Sequence, residues 1–229
     1  MTQTTQRPQR TVLLTGGARG IGAAIKAELA AAGHKIIAPP RAELDLASPA
    51  SIEKWLVANG SLPVDILINN AGINTLAPIA AINPADWRQM LQVNLDATLA
   101  LTQAFAPGMA ARGWGRVLNL STIFSIITKE RRAMYSMTKA AVGALTRSTA
   151  VEFGPAGVLA NALAPGFVDT ALTHQNNTPG QIKALVAAIP LRRMATPAQL
   201  AKIAVFLISE DNAYITGQII VADGGFTLH

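Results

Sequence analysis

Tyr135 and Lys139 stand four residues apart in the segment YSMTK, a spacing that can build a proton donor. On a helix, positions i and i+4 share a face, so the phenol and the ammonium can point into one pocket. A neighbouring ammonium favours phenolate and is expected to draw the tyrosine pKa down from about 10 towards neutral pH, where proton transfer is most efficient. Upstream, TGGARGIG at residues 15–22 sets Gly16, Gly20 and Gly22 between an apolar stretch and an Ala-rich one. Glycines there permit a tight bend and close backbone approach to a phosphate, and a helix starting after them offers free N–H groups and a positive dipole end. A nucleotide at the glycine turn and a proton donor on a later helix suit hydride transfer coupled to proton transfer at a C–OH or C=O carbon.

Such residues need a scaffold that brings distant segments together. Strand-like apolar runs alternate with helix-like stretches throughout, which predicts a doubly wound, Rossmann-type parallel α/β sheet in a single three-layer domain. Strands are expected at 11–15, 34–38, 43–46, 64–68, 116–120, 158–164 and 218–221. Helices are expected at 20–32, 48–59, 84–111, 132–153 and 197–208, with a partly helical insertion at 170–189. Pro39, Pro40 and Arg41 lead almost at once into ELDL at 43–46, leaving no room for a helix between the second and third strands. Ser48 and Asn83 each precede a proline, the order of an N-cap and a first helical position.

The length of 229 residues suits one domain with a large core. A content of 50% hydrophobic and 14% charged residues fits a sheet buried on both faces and argues against disorder. No apolar run approaches the roughly 18 residues of a membrane span, so no membrane partner is expected. The chain has no cysteine for a disulfide or thiolate site, and His34, His174 and His229 are too scattered to predict a metal site. The net charge of +6 is spread over dispersed basic residues without interleaved aromatics, so a phosphorylated cofactor or an acidic carrier is expected rather than nucleic acid. Residues 1–10 read as a loose leader without a secretory signal, residues 11–229 as the domain, and the setting as cytoplasmic.

Taken in order, the motifs resemble the short-chain dehydrogenase/reductase family in its compact single-domain form, over nearly the whole chain. TGGARGIG is similar to that family's cofactor loop, Asp45 with Leu46 to its adenine-contacting pair, and NNAG at 69–72 to the motif after its fourth strand. Asn94 in QVNLDA, YSMTK, APGFVDT at 164–170 and DGG at 223–225 match further signatures. The resemblance implies that Tyr135 is the acid for carbonyl reduction and the base for alcohol oxidation. It implies that Lys139 holds the nicotinamide ribose and lowers the tyrosine pKa, and that Asn94 anchors a water leading to Lys139. Where the family has a serine thirteen residues before the tyrosine, this chain has Thr122 in NLST. Thr122 is therefore expected to polarise the substrate oxygen, with Ser121 as the neighbouring candidate and a hydroxyl that merely satisfies local backbone as the plain alternative. The implied cofactor contacts are Gly16, Arg19, Gly20, Ile21, Gly22, Arg41, Asp45, Leu46, Asn70, Ala71, Gly72, Tyr135, Lys139, Pro165, Gly166, Val168 and Thr170.

An acidic residue after the second strand binds the ribose 2′-hydroxyl of NAD, whereas Arg accommodates the 2′-phosphate of NADP. Arg41, with Arg19 as a second cation, predicts NADP, with NAD as the second choice; a solvated surface charge is the alternative reading of Arg41. The reading is an NADP-dependent oxidoreductase interconverting a secondary alcohol and a ketone, with a small-molecule substrate such as a 3-oxoacyl thioester, sugar or polyol. Its rival is a nucleotide-binding regulator on the same fold without turnover. Residues 171–194 correspond to a substrate loop in which His174, Gln175, Asn176 and Asn177 are candidate contacts. The charges at 129–132 and at Arg192 and Arg193 flank the site's mouth, as a solvated face or as receptors for an acidic substrate. Ala140, Ala141, Gly143 and Ala144 suit packing against a partner in a homotetramer or homodimer, or against the chain's own core.

Overall fold

Parallel strands with helices on both faces are buried on both sides and therefore read as near-continuous apolar runs. The computed structural model, which describes residues 8–175 and 177–228, carries six such strands. They are β1 (Thr11–Leu14), β2 (Lys35–Ile37), β3 (Ile66–Asn69), β4 (Gly115–Leu120), β5 (Val158–Pro165) and β6 (Ile219–Ala222), all parallel, in the order β2-β1-β3-β4-β5-β6. The helices are α1 (Gly20–Ala31), α2 (Pro49–Asn59), α3 (Pro84–Leu91), α4 (Ala97–Ala111), α5 (Ala133–Phe153), α6 (Ala171–Gln175), α7 (Pro179–Ala188) and α8 (Pro197–Ile208). Asn176, His229 and residues 1–7 of the expected leader lie outside the described residues.

Alternation along the strands divides the core into two layers. Leu13, Leu67, Val117 and Ala160 face Trp55 of α2 and Leu101, Phe105 and Met109 of α4. Val12, Leu14, Ile66, Ile68, Leu118 and Leu163 face Ile25 and Leu29 of α1 and Ala201, Ala204 and Leu207 of α8. The neighbours of β1 are β2 on one side and β3 on the other, so the connections diverge at the carboxyl ends of β1 and β3. That crevice is where open α/β sheets bind ligands, and the glycine loop after β1 and the NNAG segment after β3 line it.

Ser48 accepts a hydrogen bond from Ser51 N–H at 3.2 Å and Asn83 from Ala85 N–H at 2.8 Å, as the cap-then-proline order predicts. The expected strand at 43–46 is not formed. Pro40 carbonyl accepts from Glu43 N–H and Leu44 N–H at 2.9 and 3.0 Å, and the Asp45 carboxylate accepts from Ala47 N–H at 3.0 Å. Those local bonds close a turn, so the backbone has no free edge to offer β2, and β2 becomes the edge of a sheet of six strands rather than seven.

The expected helix at 84–111 is interrupted by a π turn over Gln92–Asp96, in which Ala97 N–H bonds to the Gln92 carbonyl. The wider turn carries Asn94 inward, where it is 1% exposed; such bulges recur at functional sites. On α5, Gly143 faces the chain's own sheet, where an added Cβ would lie 2.6 Å from Ile219 Cδ1. Met137, Ala140, Ala144 and Val151 form an exposed stripe on the opposite side.

Candidate active site

The crevice opens into one cleft of about 880 Å³ running from the glycine loop to Tyr135. Gly16 has φ +67°, a region costly for other residues. A Cβ on Gly22 would lie 2.2 Å from the Gly16 carbonyl oxygen, so the loop can close on the helix start only with glycine there. Asn70 ties the two loops together by donating from Nδ2 to the carbonyls of Thr15 and Gly16 at 3.0 and 2.9 Å. Thr15 Oγ1 returns the tie by accepting from the N–H groups of Asn70 and Ala71 at 3.0 and 3.1 Å. The result is a backbone-lined cradle at the N-terminus of α1, a geometry suited to a pyrophosphate.

At the other end, Tyr135 sits in the first turn of α5 and lines the cleft beside Thr122. Thr122 follows β4 in extended conformation, caps the next turn by accepting from Phe124 N–H at 3.3 Å, and stands close enough to the Tyr135 hydroxyl to help draw its pKa down. Ser121 instead donates to the Lys139 carbonyl at 3.3 Å. Of the two hydroxyls weighed from sequence, Thr122 is therefore the one that meets the phenol, while also satisfying local backbone.

Lys139 and Asn94 do not line the cleft but lie beneath its floor at Gly72. A Cβ there would come within 3.2 Å of Asn94 Oδ1 and 3.4 Å of Lys139 Nζ. Asn94 accepts from Ile73 N–H at 2.9 Å and donates to the Ile73 carbonyl at 2.9 Å and to Thr138 Oγ1 at 3.2 Å. Lys139 Nζ donates to the Leu120 carbonyl at 2.6 Å and lies 6.0 Å from the Tyr135 ring centre. Burial draws its ammonium down to about 8.

The expected lowering of the Tyr135 pKa by Lys139 is not what the structure shows. Burial pushes the phenol above its ordinary value, and the charge pulling it back is that of Arg132, helped by the Thr122 hydroxyl. The lysine is turned away towards Leu120, whereas Arg132, at the N-cap of α5 three residues before Tyr135, also lines the cleft. Sequence reasoning treated Arg132 only as one of several charges at the mouth; its i, i+3 spacing to Tyr135 was the available signal.

The remaining predicted positions Arg19, Gly20, Ile21, Arg41, Asp45, Leu46, Ala71, Gly72, Pro165, Gly166, Val168 and Thr170 all line the same cleft. Arg41 is 77% exposed and pairs with Asp45 at 3.2 Å. A backbone hydrogen bond from Ala47 and the Arg41 charge hold the Asp45 carboxyl below its ordinary value. Gln175 and Asn177 line the cleft, while His174 turns to Asp169 at 2.6 Å. Arg193 bonds Gln199 at 2.8 Å and Arg192 the Ala187 carbonyl, and neither lines the cleft. Among the described residues no helix is long and apolar enough to cross a membrane.

A family model described as Enoyl-(Acyl carrier protein) reductase matches residues 26–227. Acetoacetyl-CoA reductase of Shinella zoogloeoides is 33% identical over 235 residues, covering 94% of this chain and 98% of that protein. The 3-oxoacyl-[acyl-carrier-protein] reductase FabG of Aquifex aeolicus is 35% identical over 237 residues, covering 93% and 95%. Among solved structures, a gluconate 5-dehydrogenase from Burkholderia cenocepacia in complex with NADP and tartrate superposes with a TM-score of 0.89 at 32% identity, covering 98% of each chain. With a parallel sheet, a glycine cradle at its switch point and a Tyr-Thr pair facing it, the chain belongs to the short-chain dehydrogenase/reductase family.

Proposed function

We propose that the protein is an NADP-dependent oxidoreductase that interconverts a ketone and a secondary alcohol, with Tyr135 as the proton donor and acceptor. The observation that carries this reading is the Tyr135 phenol beside Thr122 in the same cleft as the glycine cradle. The cradle fits a dinucleotide, because Gly16 and Gly22 leave backbone where a Cβ would collide. Arg19 and Arg41 at the rim suit the 2′-phosphate of NADP. When bound, the dinucleotide supplies a hydride to a carbonyl carbon or accepts one from a carbinol. Thr122 polarises the substrate oxygen, Tyr135 gives or takes its proton, and Lys139 and Asn94 brace the cleft floor from beneath Gly72.

Names of relatives support the substrate class. The similar proteins include reductases of acetoacetyl-CoA and of 3-oxoacyl groups, and a gluconate 5-dehydrogenase. The substrate is a ketone of a carboxylic acid derivative or of a sugar acid, covered by the loop at 171–194, in a single domain over 11–229. The exposed stripe on α5 supports a homodimer or homotetramer. The direct test follows NADPH consumption by purified protein with a panel of 3-oxo esters, 3-oxoacyl thioesters, keto acids and keto sugars. Binding of NADPH without its oxidation by any of them would favour a nucleotide-binding regulator.

Thr122→Ser should keep substantial activity, and Thr122→Val, similar in shape but without the hydroxyl, should lose most of it. Equal rates for the valine variant and wild type would remove Thr122 from the chemistry. Arg41→Asp should lower kcat/KM for NADPH relative to NADH by tenfold or more, since a charge-assisted hydrogen bond is worth about 1.5 to 3 kcal/mol. An equal change for both cofactors would make Arg41 a surface charge that serves only Asp45.

A further inference from the structure

Of the five arginine and lysine side chains that flank the cleft's mouth in sequence, only Arg132 turns into it, and Arg131 stays exposed. Arg192 and Arg193 are tied to the Ala187 carbonyl and to Gln199, and Lys129 stays exposed. Arg132 stands three residues before Tyr135 at the N-cap of α5, and its guanidinium carbon lies 4.9 Å from the centre of the Phe124 ring. Phe124 is braced edge-on by Phe167 at 6.3 Å, and Phe167 by Phe226 at 5.1 Å. A stacked guanidinium on a braced aromatic wall is held in one plane, so its fork of N–H donors has a fixed direction.

That fork is incomplete. Arg132 Nε is buried and has no hydrogen-bond partner, and among the described residues no carboxylate forms an ion pair with Arg132. Burial draws the guanidinium pKa down, as expected of a cation short of a counter-charge. A buried donor left unpaired is costly, and native proteins retain few of them. A planar anion in the cleft supplies the missing counter-charge, because the guanidinium's open edge matches a carboxylate through two parallel hydrogen bonds.

We propose that Arg132 is a specificity-determining residue that binds a carboxylate carried by the substrate itself. The proposal rests on the oxidoreductase reading above and narrows its substrate class. Arg132, at the N-cap of α5, and Tyr135, three residues further on, both line the one cleft. With the ketone oxygen at Tyr135 and the carboxylate at Arg132, both groups belong to one small molecule, the carboxylate carbon one or two bonds from the carbonyl carbon. The preferred substrates are 2- or 3-oxo acids and the matching hydroxy acids, in free acid form. A thioester or ester brings only a neutral carbonyl to the same place and leaves the arginine's charge without a counterpart.

The test compares acetoacetate with methyl acetoacetate as ketones, with NADPH as reductant, in wild type, Arg132→Lys and Arg132→Gln. The ratio of kcat/KM for acid over ester should fall about tenfold or more in Arg132→Gln, with Arg132→Lys between, because the lost bond is charge-assisted. A ratio unchanged in Arg132→Gln overturns the proposal even if both rates drop. A second readout needs no turnover. Malonate should raise the melting temperature of the wild-type protein with NADPH bound, relative to chloride at equal ionic strength, and should fail to do so for Arg132→Gln. A malonate shift of equal size in the two proteins overturns the proposal. If wild type reduces neither ketone yet shows an Arg132-dependent malonate shift, the carboxylate site stands and the reductase reading fails.

Discussion

Tyr135→Phe should lower turnover by about 10² to 10⁴ while NADPH affinity stays within a few-fold, because general acid catalysis has that worth and only the transferable proton is lost. The ring stays, so the packing of α5's first turn is kept, and Thr122 retains its cap to Phe124 N–H at 3.3 Å. The pH dependence follows from the direction of the phenol's shift. Burial raises the Tyr135 pKa, so at neutral pH the group is protonated, the form that ketone reduction requires. Alcohol oxidation requires the phenolate, so its rate should climb as pH rises towards the phenol pKa, while reduction falls over the same range. The climb should move to higher pH in Arg132→Gln, since Arg132 is the charge that holds the phenol down. Near-wild-type reduction by the Phe variant would remove Tyr135 from the proposed role.

Lys139→Met should leave a pH signature in folding stability. Lys139 is 4% exposed and its ammonium has a pKa of about 8 in the folded protein against 10.5 when free. Between those values the unfolded chain binds the proton and the folded chain does not, so wild-type stability gains as pH rises from about 8 to about 10.5. Methionine does not titrate. The stability of Lys139→Met relative to wild type should therefore decline across that window by on the order of 3 kcal/mol. Chemical denaturation of both proteins without cofactor at a series of pH values reads this directly. A constant difference would mean that Lys139 is hydrated rather than sealed beneath Gly72.

Much of the cleft was legible because its parts are local in sequence. The glycine loop needs only a strand before it and a helix after it, and YSMTK needs only helical spacing. The cap-then-proline signals at Ser48 and Asn83 are complete within three residues. What was not legible depends on partners far along the chain. ELDL alternates like a strand, but Pro40 and Asp45 absorb the N–H groups of Glu43, Leu44 and Ala47 in turns, an outcome that alternation cannot foresee. Spacing put Lys139 on the face of Tyr135, yet the Leu120 carbonyl, from the end of β4, draws the ammonium away. The cation that reaches the phenol is Arg132, held by an aromatic wall assembled from residues 124, 167 and 226. Asn94's inward turn required a π bulge, which no residue pattern in QVNLD announces.

The central claim, hydride transfer to a ketone with Tyr135 supplying the proton, is tested most directly by isotope transfer. NADPH carrying deuterium at the nicotinamide C4 is incubated with wild-type protein and acetoacetate, and the product is analysed by mass spectrometry and NMR. The account predicts 3-hydroxybutyrate with one deuterium at the carbinol carbon, formed in step with NADPH loss by wild type and barely at all by Tyr135→Phe. NADPH loss without a deuterated alcohol, or equal deuterium incorporation by the Phe variant, would contradict it.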